Sequence, residues 1–323
     1  MKSGWRIAAA AVALTFAPGA HAQAPGTDFS KIEILAEKMA PNLTMLSGSA
    51  GGDPNHQDAA GGRIGILAGP DGILMVDAQY AELAPKVAAA IRRISPAPIR
   101  ILVNTHIHID HTGGNAYFAK QGATIYAREE LRDEMMHPPP RADGSPAPAR
   151  DPANYPMVTY GLGTPVKIHM NGETVDFIPV RAAHTGGDTI VRFENANLIM
   201  IGDFYRNYGY PFIDIANGGS LKGMLEALDL TMKLAKPDTK LVPGHGTLIG
   251  RADLVPYRDM LVAVQKKVQQ MVSAGKTQQE TVAAKLTAEF DAKVRGGQDP
   301  AGAGTSADRF VAEVYQELTR GKK

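Results

Sequence analysis

Thr105-His106-Ile107-His108-Ile109-Asp110-His111 places four side chains able to bind a metal within six residues, straight after the apolar run Ile99 to Val103. A strand turns alternate side chains to one face, so His106 and His108 can point the same way at its end. The chain must then turn through Asp110-His111-Thr112-Gly113-Gly114, and that turn can aim Asp110 and His111 at a second, nearby point. The pattern suits two adjacent cations better than one. Imidazole and carboxylate without thiolate point to zinc, with iron and manganese as the alternatives.

The metal reading predicts further ligands downstream. His184-Thr185-Gly186-Gly187-Asp188 follows the apolar run Val175 to Val180, Gly202-Asp203 ends Leu198 to Ile201, and Gly244-His245-Gly246 ends Lys240 to Pro243. Each sits just past an expected strand, where loops gather in layered α/β folds.

The order His-x-His-x-Asp-His, His, Gly-Asp and Pro-Gly-His-Gly, with Asp77 as its first element, resembles the metallo-β-lactamase superfamily from about Gly61 to Arg258. That resemblance implies a four-layer αββα sandwich. It also implies that His106, His108 and His184 hold one ion and that Asp110, His111 and His245 hold the other. Asp203 would belong to the second ion and be able to bridge both, while Asp77 orients the metal loop without binding. Many secreted β-lactamases of the superfamily carry Cys where this chain has Asp203; an oxygen ligand there is more like glyoxalase II enzymes and lactonases.

Two cations in one pocket favour hydroxide over water near neutral pH. The resemblance then implies attack by that hydroxide on a carbonyl, with Asp110 orienting it and carrying a proton. Arg206, three residues after Asp203, stands where some family members place a Lys that binds the substrate carboxylate, and a guanidinium can do the same in bidentate fashion.

The elements that must position these groups can be followed along the chain. Phe29 to Met39 reads as helical, Leu43 to Leu46 as a strand, and Ser47 to Gly62 as a polar, Gly-rich loop and candidate flap. His56 in that loop is a lone histidine and is assigned no role. Gly69-Pro70-Asp71-Gly72 joins two strands as a hairpin. A helix from Ala84-Pro85 to Ile94 precedes the metal-loop strand. A short helix over Asn115 to Gln121, a strand over Thr124 to Ala127 and a helix to Met136 follow. His137 to Pro156, rich in proline, predicts an irregular excursion, either a lid or a surface loop. His137 and His169 lack metal-like spacing. Strands then run consecutively from Val166 to Ile201, with Asn171-Gly172 as a tight turn. Helices follow over Ser220 to Ala235, Asp253 to Ala274, Gln278 to Val294 and Ser306 to Thr319. The last three form a helical extension over residues 253–323, and Gly-rich Arg295 to Thr305 links two of them.

Composition bounds the function. The 323 residues are 44% apolar, carry a formal charge of +1 and contain no cysteine. A sizeable core is affordable. Nothing marks nucleic acid as a partner, and disulfides and cysteine nucleophiles are excluded. Lys2 and Arg6, the apolar Ile7 to Phe16 and Ala20-His21-Ala22 form a leader pattern. It predicts a signal peptide over residues 1–22, a domain over 23–323, delivery to the periplasm or outside, and no stable membrane anchor after cleavage. The expected activity is hydrolysis of a small cyclic amide or ester by an exported two-zinc enzyme, with β-lactam the first substrate. The alternatives are a lactonase or thioesterase on the same site, or a mononuclear iron dioxygenase.

Overall fold

The computed structural model describes residues 26–53, 56, 59–141, 143–294 and 306–320. The expected leader and the expected linker 295–305 lie outside them. Two sheets face each other. The first has seven strands in chain order: β1 (Ile34–Ala40), β2 (Leu43–Gly48), β3 (Ile64–Gly69), β4 (Gly72–Val76), β5 (Ile99–Val103), β6 (Thr124–Arg128) and β7 (Val158–Tyr160). The second has five, β8 (Val166–Met170), β9 (Glu173–Pro179), β10 (Thr189–Phe193), β11 (Leu198–Gly202) and β12 (Lys240–Pro243), with β12 and β8 at its edges.

Alternation of side chains explains the layering. Leu67, Leu74, Val76 and Val103 of the first sheet meet Val175, Phe177, Val191 and Val242 of the second in a dry middle layer. The opposite face of the first sheet, with Ile66, Ile73 and Leu102, packs against α1 (Ala84–Ile94). Buried Ala84, Val87, Ala88 and Ile91 of α1 repeat at helical spacing, and Pro85 starts that helix. Three short helices adjoin the same half of the molecule: α2 (Ile109–Thr112), α3 (Asn115–Ala119) and α4 (Glu129–Met136). The outer face of the second sheet is covered by α5 (Leu221–Leu234), α6 (Leu254–Ser273) and α8 (Ser306–Thr319), with α7 (Gln278–Ala283) packed on α8. Helix, sheet, sheet, helix is the four-layer αββα sandwich.

Three elements differ from their reading in the sequence. Residues 34–40, all but the last within the span expected to be helical, form edge strand β1, because pairing with β2 from Ile34↔Gly48 to Ala40↔Leu43 outweighs a weak local helical pattern. Val158–Tyr160 adds an unexpected strand, β7, parallel to β6. The helix expected over Gln278 to Val294 ends at Ala283, and Lys285 takes a left-handed φ of 48° that no helix continues through.

The expected ligands lie at one end of the sandwich, where the sheets are stitched together. The Thr189 amide donates to the Thr105 carbonyl at 2.8 Å, and the Arg63 amide to the Gly244 carbonyl at 3.0 Å.

Candidate metal centre

β5 ends at Val103, and the next residues are held by Asp77. The Thr105 amide and hydroxyl each donate to the Asp77 carboxylate at 2.7 Å, and His111 Nδ1 donates to it at 2.8 Å. Asp77 and Gln79 both adopt a φ of 61°. Two left-handed non-glycine residues in three positions cost energy. The bonds they make offset it: Gln79 Nε2 donates to the carbonyls of Ala60 and Gly62.

α2 then turns Asp110 and His111 inward, and the second sheet supplies His184, Asp203 and His245 from the loops after β9, β11 and β12. All seven predicted ligands converge. His106, His108, His184 and Asp203 form one group with donor atoms within 4.8 Å of one another, and His111, Asp203 and His245 form a second. Asp110 Oδ2 lies 3.0 Å from His245 Nε2 and 3.6 Å from His111 Nε2. Asp203 stands between the groups. Its Oδ2 is 3.7 Å from both His106 Nε2 and His184 Nε2 and 3.2 Å from His245 Nε2, while its Oδ1 is 3.5 Å from His111 Nε2. The backbone passes so close that a Cβ on Gly244 would sit 1.9 Å from Asp203 Oδ1, and one on Gly62 would sit 2.3 Å from His111 Cε1. Only glycine fits at either place.

Several of these rings are aimed through their other nitrogen, an arrangement that suits a metal site. His111 uses Asp77. His108 Nε2 is 2.8 Å from Asp214 Oδ2, leaving its Nδ1 2.9 Å from His184 Nε2. His184 Nδ1 donates to the Phe212 carbonyl at 2.8 Å. Phe212 and Asp214 were not foreseen, since no spacing ties them to the histidines. They are held in turn by α8: Glu313 accepts from the Ile213 amide at 2.9 Å, and the Arg309 guanidinium lies 5.0 Å from the Phe212 ring centre.

The donor set fits cations. Burial would raise the carboxyls of Asp110 and Asp203, yet the surrounding histidines hold both well below the ordinary range. Burial opposes charge on His111 and His245, but the facing carboxylates push them up to about 10 and about 9. A field that stabilises a proton there stabilises a divalent cation in its place. Burial keeps His106 and His184 low and therefore neutral, the form that binds metal. His106 Nε2 and Asp203 Oδ1 are buried without a hydrogen bond, which a bound ion would satisfy.

A sequence profile of the metallo-beta-lactamase superfamily matches residues 60–245, more than half of the chain. The chain belongs to the metallo-beta-lactamase superfamily. Its sulfatase and β-lactamase neighbours are metal-dependent hydrolases. A linear primary-alkylsulfatase of Pseudomonas sp. (strain ATCC 19151) is 36% identical over 78 residues, 22% of this chain and 15% of the relative. Among solved structures, a metallo-beta-lactamase from Pontibacter korlensis has a TM-score of 0.57 at 17% identity, covering 71% of this chain and 99% of that one. The stereoselective inverting sec-alkylsulfatase Pisa1 from Pseudomonas sp. has a TM-score of 0.63 at 16% identity, covering 88% of this chain and 50% of that one. This chain thus spans half of one alkylsulfatase and a small part of the other.

Arg206 makes no hydrogen bond or ion pair with the seven ligands among the described residues. Its charge is felt at Glu313 and Tyr257, and its Nε is buried without a hydrogen bond. The Pro-rich excursion is tied to the metal loop: Arg150 donates to the Ile107 carbonyl at 2.9 Å and to the Thr112 hydroxyl at 2.6 Å, and the Asn154 side chain accepts from the Ala116 amide at 3.1 Å. Its second half braces the loop that carries His106 to His111. His56 was assigned no role in the sequence, yet it reaches the site and stacks on His245 with ring centres 3.7 Å apart.

Proposed function

We propose that this protein is a two-zinc hydrolase of small molecules, with a strained cyclic amide or ester, β-lactam first, as substrate. The observation that carries the reading is Asp203, an oxygen ligand set between two groups of donors. Two bound cations would acidify a water molecule and polarise the bond to be cleaved. The chain's own residues do the rest. His106, His108 and His184 would hold one ion and Asp110, His111 and His245 the other, with Asp203 facing both groups. Asp110 accepts and passes on the proton of the attacking water. Arg206 offers a charge-assisted contact to an anionic group of the substrate. The leader pattern supports export, and N-terminal sequencing that finds a start near Gln23 tests it.

A second reading has an observation of its own. The alkylsulfatases match this chain both in a stretch of sequence and over a larger share of its fold than the β-lactamase from Pontibacter korlensis. A sulfate ester also carries the anion that Arg206 would bind. One experiment separates the readings: the purified, metal-quantified protein is assayed for opening of β-lactams and lactones, thiol release from thioesters and sulfate release from alkyl sulfates. Ring opening favours the first, and sulfate release the second. No turnover on any class by protein carrying two ions would sink both.

A further inference from the structure

The loop before β3 brings one more imidazole to the centre. His56 Nδ1 is 2.9 Å from Asp53 Oδ2. Asp53 is itself 1% exposed, and the same oxygen accepts from the Tyr80 hydroxyl at 3.0 Å and the Gly61 amide at 3.3 Å. An ionised carboxylate only accepts, so Nδ1 carries the hydrogen, and in the neutral ring Nε2 presents a lone pair. That Nε2 faces Asp110 Oδ2 at 3.8 Å. With Asp110 and His245 it forms a third group whose donor atoms all lie within 4.8 Å.

This construction repeats that of His111. There Nδ1 is held by Asp77, and Nε2 looks toward Asp110 and Asp203 at 3.6 and 3.5 Å. In both cases a buried carboxylate selects the tautomer and aims the other nitrogen at a carboxylate oxygen. At His56, where Nδ1 carries the hydrogen, the Nε2 lone pair and the Asp110 oxygen repel with no hydrogen between them, and a cation relieves the repulsion.

Building on the two-ion reading above, we infer that His56 is an additional nitrogen ligand of the second ion, delivered by the loop before β3 from outside the family's motifs. The parallel stack on His245, 4° between planes, sets its strength. Stacked rings present their edges side by side, so His56 binds from the flank of the group and contributes less than the ligands that surround the ion.

The test is metal binding, read without turnover. Metal-free protein is titrated with zinc against a chromophoric chelator and with cobalt by visible absorption. The wild type takes up two ions. His56→Ala should keep the first ion at its original affinity, weaken the second about tenfold and shift the cobalt bands of the second ion. His56→Gln, which keeps a polar side chain of similar reach, should show the same loss. Asp53→Asn should act in the same direction by a smaller factor. Two ions in the wild type with unchanged second-ion affinity and spectrum in both His56 variants would overturn the ligand role and leave the two-ion reading standing. A wild type that binds a single ion would overturn both, because His56 would then have no second ion to hold.

Discussion

The two halves of the sandwich build the metal centre in opposite ways. The first sheet delivers His106, His108, Asp110 and His111 from one short segment, held chiefly by Asp77, which ends the neighbouring strand. The second delivers His184, Asp203 and His245 from three separate loops. Part of its support, the Phe212 carbonyl behind His184, lies next to Ile213, whose amide is fixed by a helix some hundred residues further along the chain. A local construction needs one well-placed carboxylate. A dispersed one needs the fold around it, so damage should read out differently in the two halves.

The residue that joins the halves should matter most. Asp203→Asn removes a charge that faces both groups, so bound metal should fall below two ions per chain and turnover should drop at least about a hundredfold on every substrate class. Metal analysis beside steady-state kinetics checks this. Two tightly held ions in the variant would show that Asp203 does not bridge.

The orienting carboxylates come next. Asp77→Asn should weaken the second ion by about 10- to 100-fold and lower the melting temperature, since it also replaces one of the two oxygens that accept from Thr105. Asp214→Asn should act on the first ion through His108, by about tenfold. If both variants weakened the same ion equally, the assignment of His108 and His111 to different ions would be wrong.

Arg206→Ala should leave both ions in place and raise KM about tenfold for anionic substrates, the worth of one charge-assisted hydrogen bond. Uncharged esters and lactones should respond little. An equal rise for charged and uncharged substrates would mean that Arg206 shapes its loop instead.

The smallest effect concerns α8. Burial pushes the Glu313 carboxyl up to about 8, against the pull of Arg309, from an ordinary value of 4.5. Between those pH values it is protonated when folded and ionised when unfolded. Its contribution to stability is therefore complete at low pH and lost as pH rises toward 8. Glu313→Gln should flatten the fall in melting temperature of the metal-free protein from pH 5 to 8. An unchanged slope would locate that pH dependence elsewhere.

What the sequence determined by itself was whatever local pattern encodes. Alternating apolar runs marked most of the strands, Pro85 and Ser220 marked helix starts, and the seven side chains that the fold brings together were legible because they cluster at turns after apolar runs. Tertiary structure decided the rest. Residues 34–40 became a strand because β2 offered backbone partners that no local pattern could outweigh. Asp214, Arg150 and His56 could not be found from spacing, since each meets the centre only after the chain has folded back on itself. Their interactions span separations from a few dozen to over a hundred residues. Spacing along a chain reports neighbours on one strand or one helical turn, whereas the orientation of a ligand ring depends on whichever group packs behind it.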